Sequence, residues 1–183
     1  MSRYQIAVII GSIRKDSFNR RMADALARLA PPEFHFIQPR IDDLPLYNQD
    51  DDDNQSATVK RLKNEIHSSQ GLIFVTPEYN RSIPGVLKNA IDHASRPYGH
   101  GVWGRKPAGI MGVSAGMTGT APAQQHLRNI LACLDVYTMG QPEMFIQMKE
   151  TLFDQEGSVG KESREFLRKW MDRYVAWVKK HAA

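Results

Sequence analysis

Gly11-Ser12-Ile13-Arg14-Lys15-Asp16-Ser17-Phe18-Asn19 is the stretch from which the fold is read. The apolar run Ile6 to Ile10 ahead of it predicts a buried strand, and Phe18, Met22, Ala25, Leu26 and Leu29 behind it recur at helical spacing. Strand, polar turn and helix in that order set several backbone N–H groups at a helix N-terminus, where unpaired donors and the positive end of the dipole favour an anion. Phosphate suits the side chains. Ser12, Ser17 and Asn19 are short donors, and Arg14 carries a planar fork matched to phosphate oxygens. The loop holds a single glycine, and neither GxxxxGK[ST] nor GxGxxG is present in it. On spacing alone the plainer reading stays open, in which Ser17 is only a helix N-cap and Arg14 only a solvated charge.

A chain of 183 residues with 42% hydrophobic content is long enough for one domain, residues 1–183, with a proper core. The net charge is +4, yet no stretch of five or six consecutive basic residues occurs, which argues against a nucleic-acid or membrane partner. Cys133 is the only cysteine, so an internal disulfide is excluded and a reducing compartment is expected; its apolar helical surroundings predict a core position. Ile6 to Ile10 is too short for a signal-peptide core and no run reaches transmembrane length, which predicts a cytoplasmic protein.

Beyond the first helix, Pro31-Pro32 stops the pattern and Glu33 to Gln38 alternates as a second strand. Residues 39–55 read as a long loop, with the acidic run Asp50 to Asp53 as its solvated part; hard-metal loops interleave ligands with turn residues, so no metal site is expected. Val59, Leu62 and Ile66 mark a helix capped by Ser56 and closed by Gly71, and Leu72 to Val75 forms a third strand. A second polar turn, Thr76 to Gly85, leads into a helix with Pro84 at its first position. Ala108 to Val113 is a fourth strand, followed by the turn Ser114-Ala115-Gly116-Met117-Thr118-Gly119-Thr120 and a helix with Leu127, Ile130, Leu131 and Leu134 on one face. A fifth strand covers Val136 to Met139 or reaches Met148, and the last helix, Lys161 to Lys180, carries Phe166, Leu167, Trp170, Met171, Tyr174 and Val178 on a core or subunit-contact face.

Alternating strands and helices predict an α/β fold with a parallel sheet covered on both faces. With five strands in the order 2-1-3-4-5, the three polar turns meet over one crevice beyond the carboxyl ends, at the point where strand order reverses. A phosphate loop on one side and Pro77, Tyr79 and Asn80 on the other describe a mononucleotide site, while the small residues of the third turn let backbone approach a flat ligand. No His pair is spaced for a metal, no Ser lies in GxSxG, and Cys133 is outside all three turns. A ligand that brings its own reactivity fits best, and flavin is such a ligand.

These residues resemble the NADPH-dependent FMN reductases, and among them the bacterial quinone, azo and chromate reductases. Gly11-Ser12-Ile13-Arg14-x-x-Ser17-x-Asn19 resembles the family's phosphate loop, and Thr76-Pro77-Glu78-Tyr79-Asn80-x-Ser82-x-Pro84-Gly85-x-Leu87-Lys88-Asn89-Ala90-Ile91-Asp92 its second signature. Ser114-x-Gly116-x-x-Gly119 and Asp43-Leu44-Pro45-Leu46-Tyr47 are similar to two further family loops, and the likeness covers roughly residues 4–145. It implies a flavodoxin-like three-layer sandwich. It also implies bound FMN with Ser12, Arg14, Ser17 and Asn19 on its phosphate, and Pro77, Glu78, Tyr79 and Asn80 along ring and ribityl chain. Ser114 and Gly116 are then nearby, and Phe18, Ser82 and Ala115 complete the set. A first-turn carboxylate facing a helix dipole is the other reading of Glu78. The implied activity is ping-pong hydride transfer from NADPH or NADH, through the flavin, to small-molecule acceptors such as quinones, chromate, azo and nitro compounds or free flavin. Dimers or tetramers are implied as well. A flavodoxin-type electron carrier is the alternative, disfavoured because such carriers resemble acidic modules and this chain is basic.

Overall fold

The computed structural model describes residues 4–182. β1 (Tyr4–Ile10), β2 (Phe34–Ile37), β3 (Gly71–Val75), β4 (Pro107–Ser114), β5 (Tyr137–Thr138) and β6 (Phe145–Gln147) form one sheet in which every pairing is parallel. The order is β2-β1-β3-β4-β5, with β6 also on β4. α1 (Phe18–Ala27), α2 (Ala57–His67), α3 (Gly85–Ala94) and α4 (Ala121–Cys133) connect the strands from β1 to β5, and α5 (Lys161–His181) follows β6.

The period of two along a strand sorts its side chains onto two faces, and both faces here are apolar. Ile6, Val8 and Ile10 pack with Met22 and Leu26 of α1 and with Leu167, Trp170, Met171, Tyr174 and Val178 of α5. Ala7 and Ile9 face the opposite way, onto Leu62 and Ile66 of α2, Leu87 and Ile91 of α3, and Leu127 and Leu131 of α4. The side chain of Tyr174 is fully buried and its hydroxyl donates to Leu72 O at 3.0 Å; burial pushes this phenol well above its ordinary range.

Several expectations are corrected. The sheet has six strands rather than five, because Gly140 and Pro142 break the segment after β5: β5 pairs with Pro107 and Ala108, and β6 with Gly112 to Ser114, so the two share one edge of β4. The acidic run is not loop but part of a 3₁₀ turn, Gln49–Asn54, started by the Asn48 side chain accepting from Asp50 N; Asp52 lies 3.6 Å from Arg96. Gly71 opens β3 instead of closing α2, which ends at His67 with Ser68 as its C-cap; a Cβ at Gly71 would stand 2.9 Å from the Tyr174 hydroxyl. Pro84 is the residue before the first turn of α3 rather than in it. Cys133 is exposed: it projects from the side of α4 opposite the buried Leu127 and Leu131. On α5, Leu167, Trp170, Met171, Tyr174 and Val178 are buried as expected, and Phe166 stays half exposed. Among the described residues no helix is long and apolar enough to cross a membrane.

Candidate functional site

The turns after β1, β3 and β4 converge beyond the carboxyl ends of the strands, as strand order requires. They enclose a groove of about 180 Å³ lined by Ser12, Arg14, Ser17, Phe18, Asn19, Pro77, Glu78, Tyr79, Val113, Ser114 and Ala115. Of the predicted site residues, Asn80, Ser82 and Gly116 lie outside that lining. The hollow between β6 and α5 is larger, at about 290 Å³, so convergence and not size singles out the groove.

The first turn combines a helix cap with unused donors. Ser17 is the N-cap of α1, its Oγ accepting from Arg20 N at 3.3 Å, and Ser12 Oγ accepts from Arg14 N at 3.4 Å. Ser12 and Ser17 are 4% and 3% exposed, and among the described residues neither hydroxyl proton has an acceptor. The N–H groups of Phe18 and Asn19 fall in the first turn, ahead of any intrahelical acceptor. Arg14 is exposed and makes no ion pair among the described residues. The N-cap role of Ser17 and an anion-binding role are therefore compatible: one lone pair closes the helix and the proton remains.

Asn19 is used differently from the expectation. Its amide is buried, with Nδ2 donating to Val113 O at 2.9 Å and Oδ1 accepting from Val113 N at 2.9 Å. The cause is unequal strand length. β3 ends at Val75, Thr76 N donates to Met111 O, and the chain then turns away while β4 runs on to Ser114. Val113 has lost its neighbour on that side, and the Asn19 amide stands in for the missing peptide group. The side chain is a tie between α1 and β4, leaving only its backbone N–H for an anion.

The second turn is closed on itself. Tyr79 N donates to Ser82 O at 2.9 Å and Ser82 N to Tyr79 O at 3.0 Å, around Asn80 and Arg81 at φ of 52° and 67°. Two positive φ values in a two-residue connection define a type I′ turn. Ser82 Oγ lies 3.0 Å from His126 Nδ1 on α4. Glu78 does face a helix dipole, but that of α4, not α3: Oε2 accepts from Ala123 N at 3.3 Å, and Oε1 is 3.5 Å from Arg81 Nη1. It supplies the cap that Thr120, left-handed at φ of 70°, does not make. Tyr79 is 48% exposed at the mouth of the groove.

The third turn offers backbone. Ser114 Oγ donates to Gly116 O at 3.0 Å and Gln147 Nε2 donates to Ala115 O at 3.3 Å, which hold the turn open beside the groove. Its approach to the second turn depends on Gly112, where a Cβ would sit 2.1 Å from Thr120 Oγ1 and 2.2 Å from Thr76 O. Sequence reasoning missed Gly112 and His126. Gly112 lies inside a strand pattern, where an isolated glycine signals close backbone approach; nothing local signals His126. No group of three or more His, Cys, Asp or Glu suited to a metal occurs among the described residues.

The donor set fits a phosphomonoester: two buried hydroxyl protons without acceptors, first-turn N–H groups and an unpaired guanidinium on one side of a groove that has an aromatic and small residues on the other. The fold and the groove define a class, the nucleotide-binding α/β proteins with a parallel sheet and an anion cradle after the first strand. Within that class, the sequence profile of the NADPH-dependent FMN reductases matches residues 4–151, and the chain belongs to this family. It is 51% identical over 176 residues to a 2-hydroxy-1,4-benzoquinone reductase of a Burkholderia species, covering 96% of each chain. It is 44% identical over 181 residues to a quinone reductase of Pseudomonas putida, covering 98% of this chain and 97% of that one. A solved structure of a flavoenzyme NAD(P)H:(acceptor) oxidoreductase from Paracoccus denitrificans superposes with a TM-score of 0.94 at 41% identity, covering 98% of this chain and all of that one.

Proposed function

We propose that this protein is an FMN-containing NAD(P)H:quinone oxidoreductase, working as a single domain. The observation that carries the reading is the pair of buried hydroxyls, Ser12 and Ser17, whose protons have no acceptor among the described residues, in the same groove that Pro77 and Tyr79 line. Ser12, Arg14, Ser17 and the N–H groups of Phe18 and Asn19 hold the FMN phosphate. Pro77, Tyr79 and Asn80 lie along ring and ribityl chain, with Glu78 and Ser82 fixing their turn, and Ser114, Ala115 and Gly116 offer backbone to the ring edge. FMN held there would supply the redox chemistry, hydride transfer from NADH or NADPH and on to an acceptor, with the second proton that a quinone needs coming from solvent. The protein's part is orientation: the phosphate end is anchored while the Tyr79 side stays open for donor and acceptor in turn, which predicts ping-pong kinetics.

The names of the relatives support quinones as acceptors. Chromate, azo and nitro compounds and free flavin belong to the same reading, because an exposed reduced flavin passes electrons to any of them. Assembly as a dimer or tetramer and a cytoplasmic location are part of it too, supported by half-exposed apolar side chains such as Phe166 and by the lone cysteine. The test is direct. The purified protein should be yellow, bind one FMN, and oxidise NADH or NADPH with 1,4-benzoquinone along parallel reciprocal plots. A colourless preparation that takes up no FMN on titration would overturn the assignment, and a yellow one without steady-state nicotinamide oxidation would mark an electron carrier.

A further inference from the structure

Arg81 occupies a position that an arginine does not favour. Its φ is 67° at the second central residue of the I′ turn, where glycine or asparagine is at ease and a long side chain is strained. Asn80 beside it, at φ of 52°, suits the left-handed region; Arg81 has no such aptitude. The turn that carries it is fixed at its base by the two Tyr79–Ser82 backbone bonds and by the contact of Ser82 with His126. The Arg81 side chain is 73% exposed and has one ionic partner among the described residues, Glu78 at 3.5 Å, which α4 holds in place through Ala123 N. A rigid turn therefore presents a mostly solvated cation two residues from Tyr79 at the mouth of the groove.

Four other arginines are placed or engaged elsewhere. Arg105 precedes β4 and its N–H donates to Asp135 O, at the opposite end of the sheet. Arg21 lies over the Phe153 ring at 4.5 Å. Arg20 donates to Gln38 on the β2 side of the first turn. Arg14 belongs to the phosphate end.

We propose that Arg81 is the docking cation for a negatively charged substituent on the molecules that visit the groove, an inference that rests on the oxidoreductase reading above. Two visitors carry such a group: NADPH through its 2′-phosphate, and a hydroxyquinone through its ionised hydroxyl. Guanidinium recognises either by charge-assisted hydrogen bonds.

The experiment compares wild type with Arg81→Ala, Arg81→Lys and Arg81→Gly. Three ratios are measured: kcat/KM for NADPH over NADH, kcat/KM for 2-hydroxy-1,4-naphthoquinone over 1,4-naphthoquinone, and Kd for NAD+ over NADP+ on the oxidised holoprotein by calorimetry. Loss of one charge-assisted contact should lower a ratio about tenfold in Arg81→Ala, with partial recovery in Arg81→Lys. A fall in the two nucleotide ratios assigns the 2′-phosphate, a fall in the quinone ratio assigns the acceptor anion, and either supports the proposal. Arg81→Gly should show the same fall with a Tm at or above that of wild type, because the strain is relieved. An active wild type with all three ratios unchanged in Arg81→Ala overturns the role of Arg81 alone. So does a uniform loss towards every substrate accompanied by a changed assembly state, or a Tm well below wild type in Arg81→Gly. A wild type that binds no FMN fails at the earlier step instead.

Discussion

The turn after β1 and the turn after β3 line the same groove, and they use their polar groups in opposite ways. In the first, Ser12 and Ser17 accept one hydrogen bond each, and among the described residues their protons have no partner and Arg14 no ion pair. In the second, Tyr79 and Ser82 bond to each other, Ser82 bonds to His126, and Glu78 caps α4. Buried donors are satisfied almost without exception in folded proteins, so the side that is left incomplete is the side a ligand completes. The side that is complete forms a wall along the groove, whose hydrogen bonds are made without a ligand. Asn19 stands at the boundary: it belongs to the first turn by sequence and to the wall by its bonds.

The largest effect should come from that boundary residue. Asn19→Leu leaves the buried N–H and C=O of Val113 both unpaired, at about 1–3 kcal/mol each, so urea unfolding should show a loss of roughly 2–6 kcal/mol. A loss below about 1 kcal/mol together with weakened FMN binding would move Asn19 back to the ligand side and break the contrast. Arg14→Ala should do the reverse. Loss of a charge-assisted bond to phosphate is worth about 1.5–3 kcal/mol, so the Kd for FMN should rise roughly 10- to 100-fold by fluorescence titration, with the stability of the apoprotein within about 0.5 kcal/mol of wild type. Lys15→Ala is the control at the neighbouring exposed position. Equal FMN binding by both variants would sink the phosphate role of Arg14.

Much of this contrast is written locally in the chain. Ile6 to Ile10 followed by Gly11 to Asn19 specifies strand, turn and helix, Ser17 specifies the cap, and the alternation of elements specifies where the turns meet. The uses of Asn19 and Glu78 are not local. That Asn19 faces an orphaned Val113 depends on β4 running eight residues and β3 only five, a difference that emerges when the strands pair. Glu78 reads as a first-turn carboxylate for the helix that follows it, yet its partner Ala123 is 45 residues away. The sixth strand escaped for a related reason: three residues, Phe145 to Gln147, carry too short a pattern to stand alone and are strand only because β4 offers an edge.

Glu78 gives the next smaller effect. Glu78→Ala removes the one side-chain cap of α4 and the one ionic partner of Arg81 found among the described residues, and thermal unfolding should show a cost of about 1 kcal/mol. Glu78→Gln keeps an acceptor and loses only the charge at the helix terminus, so about 0.3–1 kcal/mol is expected. Because the wall is complete without ligand, both costs should be the same with and without FMN. A cost that disappears on FMN binding would show that the second turn is finished by the ligand too.

The smallest effect comes from the turn after β2, which is closed by an ion pair and serves as a reference for the other two. Arg61 grips Asp43 with both ends of its fork, at 2.7 and 3.0 Å, and fastens residues 40–43 to α2. The hydrogen bonds from Arg61 hold the Asp43 carboxyl below the usual carboxylate range, against the opposing effect of partial burial. A depressed folded value means that the unfolded chain takes up the proton first as pH falls, so the contribution is complete above the unfolded value near ~3.9 and is lost as pH drops through the folded one. The pair is partly exposed and screened by solvent, so it contributes about 0.2–1 kcal/mol. Asp43→Asn should therefore cost that much at pH 7, and its stability should converge on wild type at the acid end of a urea series run from neutral pH downward. The same variant should bind FMN as wild type does, since Asp43 does not line the groove. A Kd for FMN raised as far as that of Arg14→Ala would show that closing the β2 turn shapes the anion site, and the division between an incomplete first turn and self-contained neighbours would no longer hold.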